Sequence, residues 1–376
     1  MIAPWKRKES LSGKNPSGAA DARLSAFNQQ VLQQQPNHAH AWQLLGMVHV
    51  VGNRPAEALP ALQRALALNP RQTQILCLLG TVLARLGQSE QAIDHFRQAL
   101  ALAPQDANIW YDLGNVQHGL GQHLQALASH DRALALAPGH ADAWLNRGHA
   151  LLELHRLGDA IASFERAIDL RPRASTWLLL GSALEQAQRL PDALACFEKV
   201  VALEPDNLDG WLKFGGVLLQ LGRPDLALER IEVAQRLAPQ SPRVLLTQAA
   251  ALAKTRGDAA ALMPLLQAHA LAPDDLSVSM QLLYFMLKTA HWEGLTEVLA
   301  QTLRHWRAGA RDANTLTLLA HPDVSAADLL QIAQAYHAPL NDAFRAMHAK
   351  VARGAPAGRS AAPRGRLSDD RRVRSP

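Results

Sequence analysis

A glycine returns through this chain every 34 residues, at Gly46, Gly80, Gly114 and Gly148, and again at Gly181 and Gly215 after a one-residue deletion. The same frame recurs around each of them. Four residues earlier stands Trp42, Trp110, Trp144, Trp177 or Trp211, with Leu76 in the second copy. Twelve residues later stands Ala58, Ala92, Ala126, Ala160, Ala193 or Ala227, and twenty-four later Pro70, Pro104, Pro138, Pro172, Pro205 or Pro239. Such a period specifies a stack of helix pairs rather than a globular domain with a pocket, because each unit buries its apolar face only against its neighbours.

Six repeats follow this frame, at 39–72, 73–106, 107–140, 141–173, 174–207 and 208–241. A seventh, weaker one spans 242–275, with Leu245, Ala249 and Ala261 in the frame, Pro273 at its end and alanine in place of the glycine. The 34-residue length joined to these Trp, Gly, Ala and Pro positions resembles the tetratricopeptide (TPR) repeat. The resemblance implies an all-α fold, a right-handed superhelical solenoid of paired helices. Ahead of the repeats, residues 1–18 read as a flexible N-terminus and 19–38 as a cap, with an amphipathic helix from Ala22 to Gln35 closed by Pro36.

Each frame residue has a mechanical role. The glycine lets the second helix of a pair approach closely while the tryptophan fills volume between helices. Ala65, Ala99, Ala133 and Ala167 are further close-contact points, and Leu62, Phe96, Phe164 and Phe197 supply bulk. The prolines fit the breaks between repeats, where a missing N–H and a fixed φ cost least.

Composition limits the alternatives. Apolar residues make up 48% of the 376, enough for a long helical array. No apolar run approaches the roughly 20 residues that cross a bilayer. Lys6, Arg7 and Lys8 are not followed by an apolar stretch, so they do not open a secretory signal, and a cytoplasmic location is expected. Cys77 and Cys196 lie three helix pairs apart and read as unbridged, buried thiols.

The formal charge of +5 is concentrated at the C-terminus. From residue 341 onward nine basic residues stand against Asp342, Asp369 and Asp370, so the repeats themselves are close to neutral. A neutral array argues against tracking a nucleic-acid backbone. The Pro, Gly, Ala and Arg-rich segment 341–376 reads as a mostly disordered basic tail without the interleaved aromatics that stack bases.

A solenoid of this type turns its first helices toward a concave groove. Residues flanking the frame's tryptophan are the candidates to line it: Asn108, Tyr111, Asn115 and His118 in the third repeat, Asp142, Asn146 and His149 in the fourth, and Asp209 and Lys213 in the sixth. Amide and aromatic side chains on such a surface hydrogen-bond the backbone of an extended polypeptide. The groove lacks the repeated Lys and Arg that would clamp a terminal carboxylate.

Catalytic signatures are not found. No H-E-x-x-H or cysteine pair suggests a metal, no glycine-rich loop suggests a phosphate, and neither a cofactor nor a catalytic residue is expected. His130 takes the place held by Phe96 and Phe164 in neighbouring repeats and reads as a packed, partly buried histidine rather than a base.

Past the array the register changes. Residues 276–340 read as a helical junction: two helices around His291-Trp292-Glu293-Gly294-Leu295, then Ala320-His321-Pro322-Asp323 and a helix from Ala326 to Tyr336 capped by Ser325. This order resembles the segment that follows the repeats in bacterial relatives of protein O-GlcNAc transferase, the SPINDLY-like glycosyltransferases. There it leads into a catalytic half that uses a sugar nucleotide such as UDP-GlcNAc, but Ser368 to Pro376 cannot form that half's first buried strand. The reading is a noncatalytic scaffold that holds an extended polypeptide. The alternatives are one part of a split glycosyltransferase with a separately encoded catalytic domain, or a homo-oligomeric assembly scaffold dimerising through its convex face.

Overall fold

The computed structural model describes residues 16–291 and 293–307. The expected flexible N-terminus up to residue 15, Trp292, the segment from Ala320 to Tyr336 and the basic tail lie outside the described residues. The described chain is all-α and divides after Arg256 into two units.

The first unit begins with α1 (Pro16–Gln34) and continues as six helix pairs and one further helix. The pairs are α2 (Ala39–Val51) with α3 (Pro55–Leu68), α4 (Thr73–Arg85) with α5 (Ser89–Leu102), and α6 (Ala107–Gly119) with α7 (His123–Leu136). They continue as α8 (Ala141–Glu153) with α9 (Leu157–Leu170), α10 (Ala174–Gln186) with α11 (Leu190–Leu203), and α12 (Leu208–Gln220) with α13 (Pro224–Leu237). The last helix is α14 (Pro242–Arg256).

Within each pair one contact is repeated. The frame glycine faces a bulky residue 16 positions later, so close that a Cβ would overlap it. A Cβ on Gly80 would lie 2.7 Å from Phe96 Cζ, and one on Gly148 would lie 2.5 Å from Phe164 Cε1. Leu62, Phe197 and Ile231 stand in the same relation to Gly46, Gly181 and Gly215. Phe164 and Phe197 are wholly buried, and so are the frame alanines from Ala58 to Ala227. Burying an aromatic side chain of this size is worth about 2–3 kcal/mol, which makes these contacts the main ties within a pair.

Each first helix ends the same way. The residue after its last turn has a left-handed backbone: Asn53, Gly87, Gly121, His155, Gln188 and Gly222. The next backbone N–H reaches back across the last turn, as Arg54 N to His49 O at 2.8 Å and Arg189 N to Leu184 O at 2.9 Å. This closing turn satisfies orphan carbonyls and aims the chain into the second helix.

The tryptophans do more than fill space. The indole N–H donates to the carbonyl of the proline six residues earlier in Trp42, Trp110, Trp144 and Trp211, at 2.8–3.0 Å. Trp177 follows the one-residue deletion, so Arg171 and not a proline lies six residues before it. It makes no such bond among the described residues.

Three sequence expectations need correction. The first helix buries Ser25 and Asn28 beside Leu32 while Leu24 and Phe27 stay exposed, so its packed side is not the apolar one expected. Cys77 is only half-buried, because it occupies the first-helix face at the position that Tyr111 takes in the next repeat. His130 is fully buried rather than partly so, since it fills the slot against Gly114.

The second unit opens with a 3-10 turn (Asp258–Ala261) and continues as α15 (Leu262–Leu271), α16 (Leu276–Lys288) and α17 (Leu295–Arg307). Helix α15 packs on α16, and α16 on α17, around Leu265, Val278, Leu282, Met286 and Leu299. Asp275 caps α16 by accepting from Ser277 N at 2.9 Å, and Lys288 pairs with Asp258 at 2.9 Å.

Candidate functional site

In the first unit, successive first helices touch one another: α2 with α4, α4 with α6, α6 with α8, α10 with α12 and α12 with α14. No comparable approach joins successive second helices among the described residues. A stack whose units meet on one side only curls toward that side, so the first-helix face is the inner, concave one. The step from α8 to α10, where the repeat is one residue short, is absent from these close approaches.

Polar side chains cross from repeat to repeat along this face. Asn146 on α8 donates from Nδ2 to Asn115 Oδ1 at 2.6 Å and to the Tyr111 hydroxyl at 3.3 Å, both on α6. Nearer the N-terminus, Gln43 on α2 donates to Gln74 Oε1 on α4 at 2.8 Å. The Tyr111 ring lies 4.6 Å from that of His140, which caps α8 by accepting from Ala143 N. Burial raises the Tyr111 hydroxyl above its usual range, so the ring presents a neutral O–H.

The expected site residues therefore fall into two sets. Tyr111, Asn115, His118, Asn146 and His149 come together across α6 and α8, with Asn108 exposed one turn before them. The charged candidates stand in ion pairs, Asp142 with the α9–α10 connection and Asp209 and Lys213 with neighbouring repeats. Asp142 accepts from Arg171 and Arg173 at 3.1 Å, Asp209 from Arg243 at 2.8 Å, and Lys213 donates to Glu185 at 2.8 Å. Arg171 and Arg173 bridge the junction where the residue is missing.

Sequence reasoning passed over Gln43, Gln74, Glu185 and Asp112. The glutamines sit at the flanking positions that it used elsewhere, so the signal was present. Asp112 lies on the same face, one residue after Tyr111, and burial, with Asp106 nearby, pushes its carboxyl up to about 6. Cys77 is pushed up to about 11 by burial, then by Asp112 and Asp106, so it is a protonated thiol rather than a nucleophile.

Among the described residues no three His, Cys, Asp or Glu side chains converge as metal ligands, and no helix is long and apolar enough to cross a membrane. An open cleft of about 450 Å³ is lined by Glu232, Gln235, Arg236, Pro239 and Gln248 on α13, α14 and their connection. It holds no convergent set of reactive groups.

Family models described as TPR or tetratricopeptide repeats match residues 20–73, 82–121, 105–173 and 178–242. They leave the segment after residue 242 unassigned. Among solved structures, the C-terminal part of a TPR repeat-containing protein from Cytophaga hutchinsonii aligns with a TM-score of 0.54 at 18% identity, over 63% of this chain and 98% of that one. YrrB, described as a TPR protein with an unusual peptide-binding site, aligns at 22% identity over 49% of this chain and 95% of its own, with a TM-score of 0.44. MamA from Desulfovibrio magneticus RS-1 aligns at 26% identity over 45% and 96%, with a TM-score of 0.43. No curated protein sequence matches the chain. The repeat frame, the pairwise packing of its helices and the family matches across more than half of its length agree that the chain is a tetratricopeptide-repeat protein.

Proposed function

We propose that the chain is a scaffold that holds an extended polypeptide against the first-helix face of its third and fourth repeats. The observation that carries this reading is the amide network of Asn146, Asn115 and Tyr111. Asn146 spends its Nδ2 donors on its two partners. Its Oδ1 and the Tyr111 O–H remain available. Donors and acceptors spaced along a helix face complement the alternating N–H and C=O groups of an extended backbone, which gives affinity with modest sequence preference. Asp142, Asp209 and Lys213 are engaged in ion pairs within the array and are left out of the contact.

Selection of random twelve-residue peptides on the full chain tests the reading. Enriched peptides that lose binding to Asn146→Ala support it. Enrichment that is indifferent to Asn146, Asn115 and Tyr111 contradicts it.

A narrower reading is supported by the resemblance around His291, Glu293 and Leu295 and through Ala320 to Tyr336: the held polypeptide is the acceptor of a nucleotide-sugar glycosyltransferase. Reading the coding sequence beyond residue 376 decides this. An open frame that begins with an apolar strand supports it, and the absence of one contradicts it.

A further inference from the structure

Five imidazoles, His118, His123, His130, His140 and His149, gather where the third and fourth repeats meet. His130 on α7 is fully buried, and neither ring nitrogen has a hydrogen-bond partner. His140 Nδ1 accepts from Ala143 N at 3.1 Å and so caps α8. The Nδ1 atoms of His118 and His123 face each other at 3.4 Å. The fifth, His149, packs edge-on against Phe164 of α9 with ring centroids 5.7 Å apart, and lies 6.4 Å from His118. Neighbouring repeats place Phe96, Phe164 and Phe197 where His130 stands, and Asn115 and Ser182 where His149 stands. Imidazoles are densest at this joint: His40 and His49 lie in the first repeat and His95 in the second, while α10 to α14 carry none.

We propose that the joint formed by α6, α7 and α8 is an acid-sensitive element: as the pH falls below neutrality, proton uptake by His130 and His149 opens the three helices locally while the repeats C-terminal to them stay folded. A solvated imidazole gains its proton just below neutrality, so the joint is stable only while that gain is withheld. Burial, followed by the neighbouring imidazoles, holds His130 at about 3, and burial holds His149 at about 4. The charged groups around the cluster are Asp112 on α6, the Asp131–Arg147 pair between α7 and α8, Asp142 with Arg171 and Arg173, and Glu153 on α8. Helix α9 meets the cluster with the ring of Phe164. Glu153 is the counter-charge that favours protonated His118 and His149.

Asp112 opposes the opening, because it binds a proton more readily in the closed joint than in the open one. At pH 5, His130 and His149 each favour the open form by about thirtyfold, and Asp112 returns about tenfold, leaving a net shift of about a hundredfold. Tyr111, Asn115 and Asn146 straddle α6 and α8, so opening also loosens a polypeptide held there. That consequence rests on the groove reading above, whereas the opening itself does not.

Amide hydrogen exchange on the full chain without ligand, at pH 7 and pH 5 and corrected for intrinsic rates, is the test. The opening constant in α6–α8 is expected to rise about a hundredfold at pH 5 relative to α10–α12. The double variant His130→Phe/His149→Ser, built from residues that occupy these positions in adjacent repeats, should abolish the rise. Should the double variant not fold, His149→Ser alone should lower the rise by at least tenfold. An equal rise in both regions, or a rise that persists in the variants, overturns the proposal.

Discussion

Gly114 and His130 form the one mismatched member of the glycine-to-bulk contact that unites every helix pair. A Cβ on Gly114 would lie 2.6 Å from His130 Cε1, the same overlap that Gly80 and Gly148 show with Phe96 and Phe164. The geometry is that of a phenylalanine slot, yet the ring in it carries two nitrogens with no partner. Leaving such groups dry costs about 1–3 kcal/mol.

Replacing the mismatched ring should therefore stabilise the protein. His130→Phe is expected to raise the unfolding free energy by about 1–3 kcal/mol at pH 7. It should also flatten the acid response. His130 is held below its unfolded value by burial, so its contribution is complete above pH 6.5 and is lost as the pH falls toward about 3. That loss amounts to about 2 kcal/mol by pH 5. Denaturant titrations at pH 7 and pH 5 check both effects, and an unchanged or lower stability at pH 7 would contradict the first.

The opposite face of the contact forbids added volume. Gly114→Val is expected to cost about 2–3 kcal/mol or more, because the β-branched side chain cannot enter without moving α7. Thermal unfolding should fall by several degrees. Gly216→Val is the control, since a Cβ at Gly216 meets nothing within 4 Å.

Backbone strain is removable at two turns. His155 and Gln188 hold φ of 56° and 58° in the closing turn where Gly87, Gly121 and Gly222 stand in other repeats. A side chain there costs on the order of 1 kcal/mol that glycine avoids. His155→Gly and Gln188→Gly should each stabilise by about that amount in denaturant titration, and Gly121→Ala should destabilise.

These turns mark the boundary of what the sequence made legible. The 34-residue frame exposed the helix pairs, because packing of Gly46, Gly80, Ala58 and Ala92 leaves the same residue type at the same place each time. Gly87, Gly121 and Gly222 recur at that period too, but Asn53, His155 and Gln188 interrupt it, so the closing turn was missed. The place of His130 was readable from Phe96 and Phe164, whereas its unpartnered nitrogens depend on what surrounds the slot. Tyr111, Asn115 and Asn146 were legible as positions flanking the frame tryptophans, whereas the hydrogen bonds that join them depend on how α8 sits against α6. The pairing of Asp142 with Arg171 and Arg173 was not legible, because it depends on the path of the α9–α10 connection, which the deletion before Ala174 alters.

The deletion also separates two tryptophans. Trp144 donates its indole N–H to Pro138 O at 2.9 Å, while Trp177 makes no equivalent bond. Trp→Phe removes a similar apolar area at both sites but a hydrogen bond only at the first. Trp144→Phe should therefore cost about 1 kcal/mol more than Trp177→Phe. Equal losses in paired denaturant titrations would remove the indole bond from the energetics of the array.

The most direct test of the first-helix face as the binding surface is the Kd of one selected peptide for three forms of the full chain, read by fluorescence anisotropy. Asn115→Ala/Asn146→Ala alters the first-helix face, and Arg132→Ala/Glu165→Ala alters exposed positions on the second helices α7 and α9. Loss of the Asn146 amide and of its Asn115 partner is worth about 1–3 kcal/mol, so the first variant should bind about tenfold or more weakly than the wild type while the second binds equally well. Unchanged binding by Asn115→Ala/Asn146→Ala together with weakened binding by Arg132→Ala/Glu165→Ala would place the polypeptide on the other side of the array and contradict the proposed function.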